Sequence, residues 1–200
     1  MIFSVIRLLF FAAVVIAGFV IIKKRKNVNM RRALSALFIA AVILTTVSGL
    51  IPVENAFISF STPEKAYLYN HFGRIRTKAE GKESVWVVGT SGNTENYAVI
   101  PKSGSGYKIG MGQNIKRISH NVSDGIVIDL YCCKTTGEYY ITVFDTDGGK
   151  TEITDNRKSV FEYTKNENTA LHKYFYTYYA YIDGFADDYS ISVNGKEFKL

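Results

Sequence analysis

Gly125-Ile-Val-Ile-Asp-Leu-Tyr-Cys-Cys133 and Glu138-Tyr-Tyr-Ile-Thr-Val-Phe-Asp145 decide the fold class of this 200-residue chain. Both are short β-rich runs, and both are bounded by the Gly, Asp and Thr residues that usually flank strands. The pattern recurs on either side. Upstream lie Ser84–Gly89, Asn96–Ile100, Tyr107–Gly110 and Ile115–Val122. Downstream lie Lys150–Thr154, the aromatic alternation His172–Asp183, Tyr189–Val193 and Lys196–Leu200. Asp147-Gly-Gly149 and Asn194-Gly195 are tight-turn signals for hairpins. No stretch of helical period separates the runs, and the connections are too short for parallel crossovers. The expected domain is mainly β, an antiparallel sandwich or partly open barrel, with one N-terminal helix.

That helix is read from Ser61-Thr-Pro-Glu-Lys-Ala-Tyr-Leu-Tyr-Asn-His-Phe-Gly73. Ser61 with Glu64 matches a capping box, Pro63 suits a first turn, and Gly73 suits a C-terminal cap. Ala66, Tyr69 and Phe72 would form its buried stripe. Ser61–Tyr69 resembles the S/T-P-E-x-A-[FY] helix start of uncharacterised secreted or membrane-anchored proteins of Gram-positive bacteria. That resemblance implies an envelope location and carries no activity.

The chain before residue 54 has another composition. Residues 1–53 hold seven basic residues and no acid, whereas 54–200 hold 17 Lys and Arg and all 18 Asp and Glu, a net charge of −1. The overall +6 is therefore confined to one patch, which argues against a nucleic-acid surface. Ile2–Ile22 and Ala33–Val53 are apolar runs near the length that crosses a bilayer. Between them, loop 23–32 carries Lys23, Lys24, Arg25, Lys26, Arg31 and Arg32. Basic residues follow the first run rather than precede it, which disfavours a cleaved signal peptide. The expectation is a two-helix transmembrane hairpin over 1–53, its loop cytoplasmic by the positive-inside rule. The N-terminus and a 54–200 domain would then lie outside the cell membrane of a bacterial envelope, with the lipid bilayer as a partner. Arg7 would snorkel to the interface near the polar residues Thr45, Thr46 and Ser48. Ala13 with Ala17 and Ala36 with Ala40 offer small residues at helix-packing spacing.

Chemistry is sparse in the sequence. His71, His120 and His172 are scattered, away from metal-ligand spacing. Cys132 and Cys133 are adjacent on one strand and too constrained to bridge each other there. Gly104-Ser-Gly106 and Gly110-Met-Gly112 lack the phosphate-loop pattern. Asp145, Asp147 and Asp155 lack the closing Glu of a calcium loop. No catalytic, cofactor or metal residue is assigned, and no cofactor is implied. The unusual local feature is Tyr174–Tyr181. Alternation puts Tyr174, Tyr176 and Tyr178 on one face and Tyr179 and Tyr181 on the other, a possible aromatic binding surface.

Three functions follow as expectations. The first is a non-enzymatic, membrane-anchored binding protein that meets an envelope protein or a cell-wall component. The second is an extracytoplasmic hydrolase of wall polymer or peptide, which needs a convergent pair of titratable groups in a pocket; His120 or His172 beside Asp129 or Asp183 in a cleft would favour it. The third is a small transport or membrane-complex subunit.

Overall fold

The computed structural model describes residues 2–24, 26–50, 53–92, 94–110, 115–168 and 171–200, without the side chains of 2–8, 10, 44–50 and 53–54. Helices α1 (Ile2–Lys24) and α2 (Val28–Leu50) are followed by a 3-10 turn, Val53–Ala56, and by α3 (Pro63–Asn70). Twelve strands follow: β1 (Arg74–Glu80), β2 (Ser84–Ser91), β3 (Thr94–Ser103), β4 (Gly106–Tyr107), β5 (Ile115–Ser123), β6 (Ile126–Cys133), β7 (Tyr139–Asp145), β8 (Ile153–Asp155), β9 (Glu162–Asn168), β10 (Lys173–Ile182), β11 (Ser190–Val193) and β12 (Lys196–Lys199).

The strands form three antiparallel sheets, ordered β1-β2-β3-β4, β5-β6-β7-β10-β9 and β12-β11-β8. They stack as layers rather than as one sandwich or barrel. β2 is buried over Ser84–Gly89 because both its faces are covered. Val85 and Val87 pack with Ala66 and Tyr67 of α3. Trp86 and Val88 pack on the middle sheet with Tyr131, Cys133, Tyr140 and Tyr179. The other face of the middle sheet (Ile128, Leu130, Ile141, Val143 and Ala180) packs with Tyr189, Ile191, Val193 and Phe198 of the third sheet and its approach. Alternation along β6, β7 and β10 thus supplies two cores at once, which requires apolar residues on both faces. The aromatic β10 lies between β7 and β9, inside its sheet.

The helix start differs in register from expectation. Thr62, not Ser61, caps α3, its side chain accepting from the Lys65 amide at 3.3 Å. Pro63, Ala66 and Tyr67 are its buried face, while Phe72 is half exposed. Gly73 is not a helix cap but the entry to β1. It sits at φ +109, and an added Cβ would lie 1.7 Å from the Thr90 carbonyl oxygen. Asn194 and Gly195 (φ 52 and 80) do close the β11–β12 hairpin as expected for a type I′ turn. Asp147-Gly-Gly149 does not make a hairpin. It leads the chain out of the middle sheet towards the third, since β8 pairs with β11.

The transmembrane hairpin is corrected. Among the described residues, no helix is long and apolar enough to cross a membrane. Both helices have 23 residues. α2 does not follow the expected 33–53 span either. It starts at Val28, takes Arg31 and Arg32 into its first turns and ends at Leu50. The membrane and transmembrane descriptions, the two-span multi-pass location and the outside placement of both chain ends lose their support. α1 and α2 pack on each other at Gly18, where an added Cβ would lie 2.4 Å from the Phe38 ring. Ala13, Ala17, Ala36 and Ala40 are exposed.

Candidate functional site

β1 and β9 are edge strands, and their apolar content is low: Arg-Ile-Arg-Thr-Lys-Ala-Glu and Glu-Tyr-Thr-Lys-Asn-Glu-Asn. Between them, and along β1, runs a groove of about 720 Å³, within the size range of ligand pockets. It has two walls and a floor.

The first wall is the β1 edge. β1 pairs with β2 on one side only. The Gly81 amide donates to the Ser84 carbonyl at 2.9 Å, so residues 81 and 84 form a bonded pair. Antiparallel alternation then turns Thr77 and Ala79 toward β2 and presents the N–H and C=O of Lys78 and Glu80 to the groove. The Lys78 ammonium lies 2.9 Å from Glu80 and 3.2 Å from Glu64 of α3. The hydrogen bond to Glu80 is the leading reason that the Lys78 pKa is raised. Glu64 feels burial, which alone would raise its pKa. Hydrogen bonds to its own backbone amide, Thr62 and Lys78 outweigh that and hold it below the usual carboxylate range. A bulge between Ile75 and Thr77 lets Arg76 reach away and donate to the Lys165 carbonyl of β9 at 2.7 Å.

The second wall is the connection from β8 to β9. Asp155 anchors it, accepting from the Ser159 amide at 2.8 Å and from the Tyr189 hydroxyl at 3.0 Å. Arg157 is ion-paired with Asp188, and Asn156 donates to the Asp188 carbonyl at 2.7 Å. Lys158 takes φ +58, in the left-handed region, which turns the chain back along the groove. From there exposure alternates: Lys158, Val160 and Glu162 are open while Ser159 and Phe161 are half-buried. Val160 is 76% exposed, a large apolar side chain held out toward the groove. Arg157 Nε and Ser159 Oγ are buried without a hydrogen-bond partner among the described residues. Such groups are costly unless an acceptor or donor arrives.

The floor rests on a buried carboxylate. Glu138 accepts from the Glu83 amide at 2.9 Å and from the Ser84 hydroxyl, with Thr136 and Tyr140 at 3.4 and 3.5 Å. Tyr181 lines the groove beside Glu138 and Asp183. Burial, then those two carboxylates, push its hydroxyl up to about 12. Gly81 must lack a side chain, because a Cβ there would lie 2.6 Å from the Tyr140 hydroxyl.

The structure disperses the residues singled out in the sequence. Tyr174 and Tyr176 line a separate hollow of about 370 Å³ with His172 and Gly148, and Lys165 lies 3.6 Å over the Tyr174 ring. Tyr178 is buried and accepts from the Thr151 amide at 2.8 Å. Tyr179 is buried and donates to Glu95 at 2.9 Å. Tyr181 alone reaches the groove. Lys23 and Lys24 end α1, while Lys26, Arg31 and Arg32 are exposed at and beyond the α1–α2 connection. Arg25 lies outside the described residues, as do the side chains of Arg7, Thr45, Thr46 and Ser48. His120 Nδ1 lies 2.6 Å from Asp129 Oδ1, with Arg117 at 3.4 Å. This pair lies on the face of β6 that also carries Tyr131 and Cys133, with His120 exposed and Asp129 mostly covered, and Asp129 is the imidazole's partner among the described residues. Cys132 and Cys133 are free, with Cys133 buried. Burial raises the Cys132 thiol pKa.

No family model matches the chain, and no curated protein or solved structure is similar to it. Function is therefore argued from the groove's geometry.

Proposed function

We propose that residues 54–200 act as a non-catalytic binding domain whose ligand lies in the groove along β1. One observation carries this reading. A ligand-sized hollow runs beside a strand edge that pairs on one side only, and the facing wall holds Lys158 and Val160 exposed. Groove residues are charged, polar and apolar in alternation, which suits recognition. Lys78, Glu80 and Asp183 are already held in ion pairs, which suits positioning more than proton transfer.

The test is a fragment screen on the full chain, mapped by backbone amide chemical shifts. Shifts concentrated on 75–80 and 157–162 support the reading. Shifts concentrated elsewhere, such as the hollow beside His172 and Tyr174, refute it.

A hydrolase remains the second reading, favoured by the His120–Asp129 contact. Aspartate orients and stabilises a histidine base in acyl transfer, but the base must also reach a nucleophile. Among the described residues no hydroxyl or thiol is recorded on His120. Turnover of ester or peptide substrates that is lost in His120→Ala would favour this reading.

A further inference from the structure

We infer that the groove takes an extended peptide as an added strand on β1, read as acidic–x–apolar–x–basic, in one sequence direction or the other. The inference rests on the groove being the ligand site.

Main-chain geometry gives the mode. Lys78 and Glu80 offer outward N–H and C=O groups on one side of the groove, which a peptide in β conformation can pair with. An exposed edge is usually blunted by charge or by a bulge. Here the bulge lies upstream of Thr77, and the Lys78 ammonium is held by the Glu80 and Glu64 carboxylates. The stretch from Thr77 to Glu80 is left able to pair.

The facing wall gives the specificity. Lys158, Val160 and Glu162 are open at two-residue spacing, the period of an extended strand. Lys158 and Glu162 have no recorded ion pair among the described residues, in contrast to Lys78, Glu80, Lys82 and Asp183. A bound strand would put its side chains of like parity against this wall. The complementary set is an acid at Lys158, an apolar residue at Val160 and a base at Glu162.

A phage-displayed random nonapeptide library, selected on the full chain, tests this. The expected consensus is acid–x–apolar–x–base. In the double variant Lys158→Glu with Glu162→Lys it should invert in sequence order. Synthetic consensus peptides N-methylated one residue at a time should lose about tenfold in affinity at alternate positions and little at those between, because each outward main-chain bond is lost in turn. Thr77→Trp, which fills the groove from a half-buried position, should abolish binding.

Three outcomes overturn the inference. Peptides blocked by Thr77→Trp but indifferent to N-methylation refute strand addition and leave the groove as the site. Peptides indifferent to Thr77→Trp refute the groove reading as well, whereas no enrichment at all refutes a peptide occupant and leaves the groove to be judged by the fragment shifts. Concentration-dependent protection of the Lys78 and Glu80 amides without peptide would mean that a second copy fills the edge.

Discussion

Replacing Glu138 with Ala should destabilise the domain by about 2–4 kcal/mol and loosen the groove floor. The carboxylate is 8% exposed and joins the β1–β2 hairpin to β7 through the Glu83 amide and the Ser84 hydroxyl. A hydrogen bond to a charged acceptor contributes about 1.5–3 kcal/mol, and a buried donor left without an acceptor costs a similar amount. Two such donors lose their partner. Two terms lower the sum. Ser84 keeps the Tyr140 hydroxyl at 2.8 Å, and the cost of burying a carboxylate is removed. Glu138→Gln keeps one carbonyl oxygen for the Glu83 amide and should cost about 1–2 kcal/mol. Urea unfolding followed by fluorescence gives the numbers, because Trp86 is the single tryptophan and its ring lies 5.5 Å from Tyr140. For a domain of this size the Ala variant should melt about 6–12 °C lower. A loss below about 1 kcal/mol, or equal losses in both variants, would refute the view that this carboxylate ties the two sheets together.

Gly73→Ala should cost more than about 3 kcal/mol, because φ +109 and the Thr90 carbonyl both forbid a Cβ; a melting curve at or near wild type would contradict this. Tyr67→Phe removes the hydroxyl that donates to the Asn96 carbonyl at 3.1 Å and should cost about 1 kcal/mol in urea unfolding. Glu64→Gln tests linkage. The folded Glu64 pKa is lowered, so its contribution is full above the unfolded value near 4.5 and is lost as pH falls below it. Wild type and Glu64→Gln should therefore differ in melting temperature at pH 7 and converge toward pH 3. For so exposed a pair the difference should be small, under about 1 kcal/mol.

The interior of this fold was legible and its site was not, for one physical reason. β2, β6, β7 and β10 are covered on both faces, so they carry dense apolar and aromatic runs that announce strands. β1 and β9 are sheet edges. Their residues face solvent, so neither shows the apolar alternation that would mark it. The groove lies along those two strands; Lys158 and Val160 sit in a connection whose sequence looks like an ordinary loop, and Glu162 opens β9. A period-two pattern of charge, valine and charge at 158–162 was the available clue. The tyrosines of β10 attracted attention because aromatic side chains are conspicuous. Tyr178 and Tyr179 turn out to be buried, with their hydroxyls bonded to Thr151 and Glu95. The N-terminal apolar runs were over-read. Their hydropathy alone suggested a bilayer, whereas among the described residues no helix is long and apolar enough to cross one.

The most direct measurement is native-state amide hydrogen exchange on the free chain, residue by residue along β1. The account predicts protection of the Thr77 and Ala79 amides, which face β2, and fast exchange at Lys78 and Glu80, whose amides face the groove. Protection at Lys78 and Glu80 in the dilute, ligand-free chain would show that the edge is already occupied, and the binding role assigned to the groove would fall.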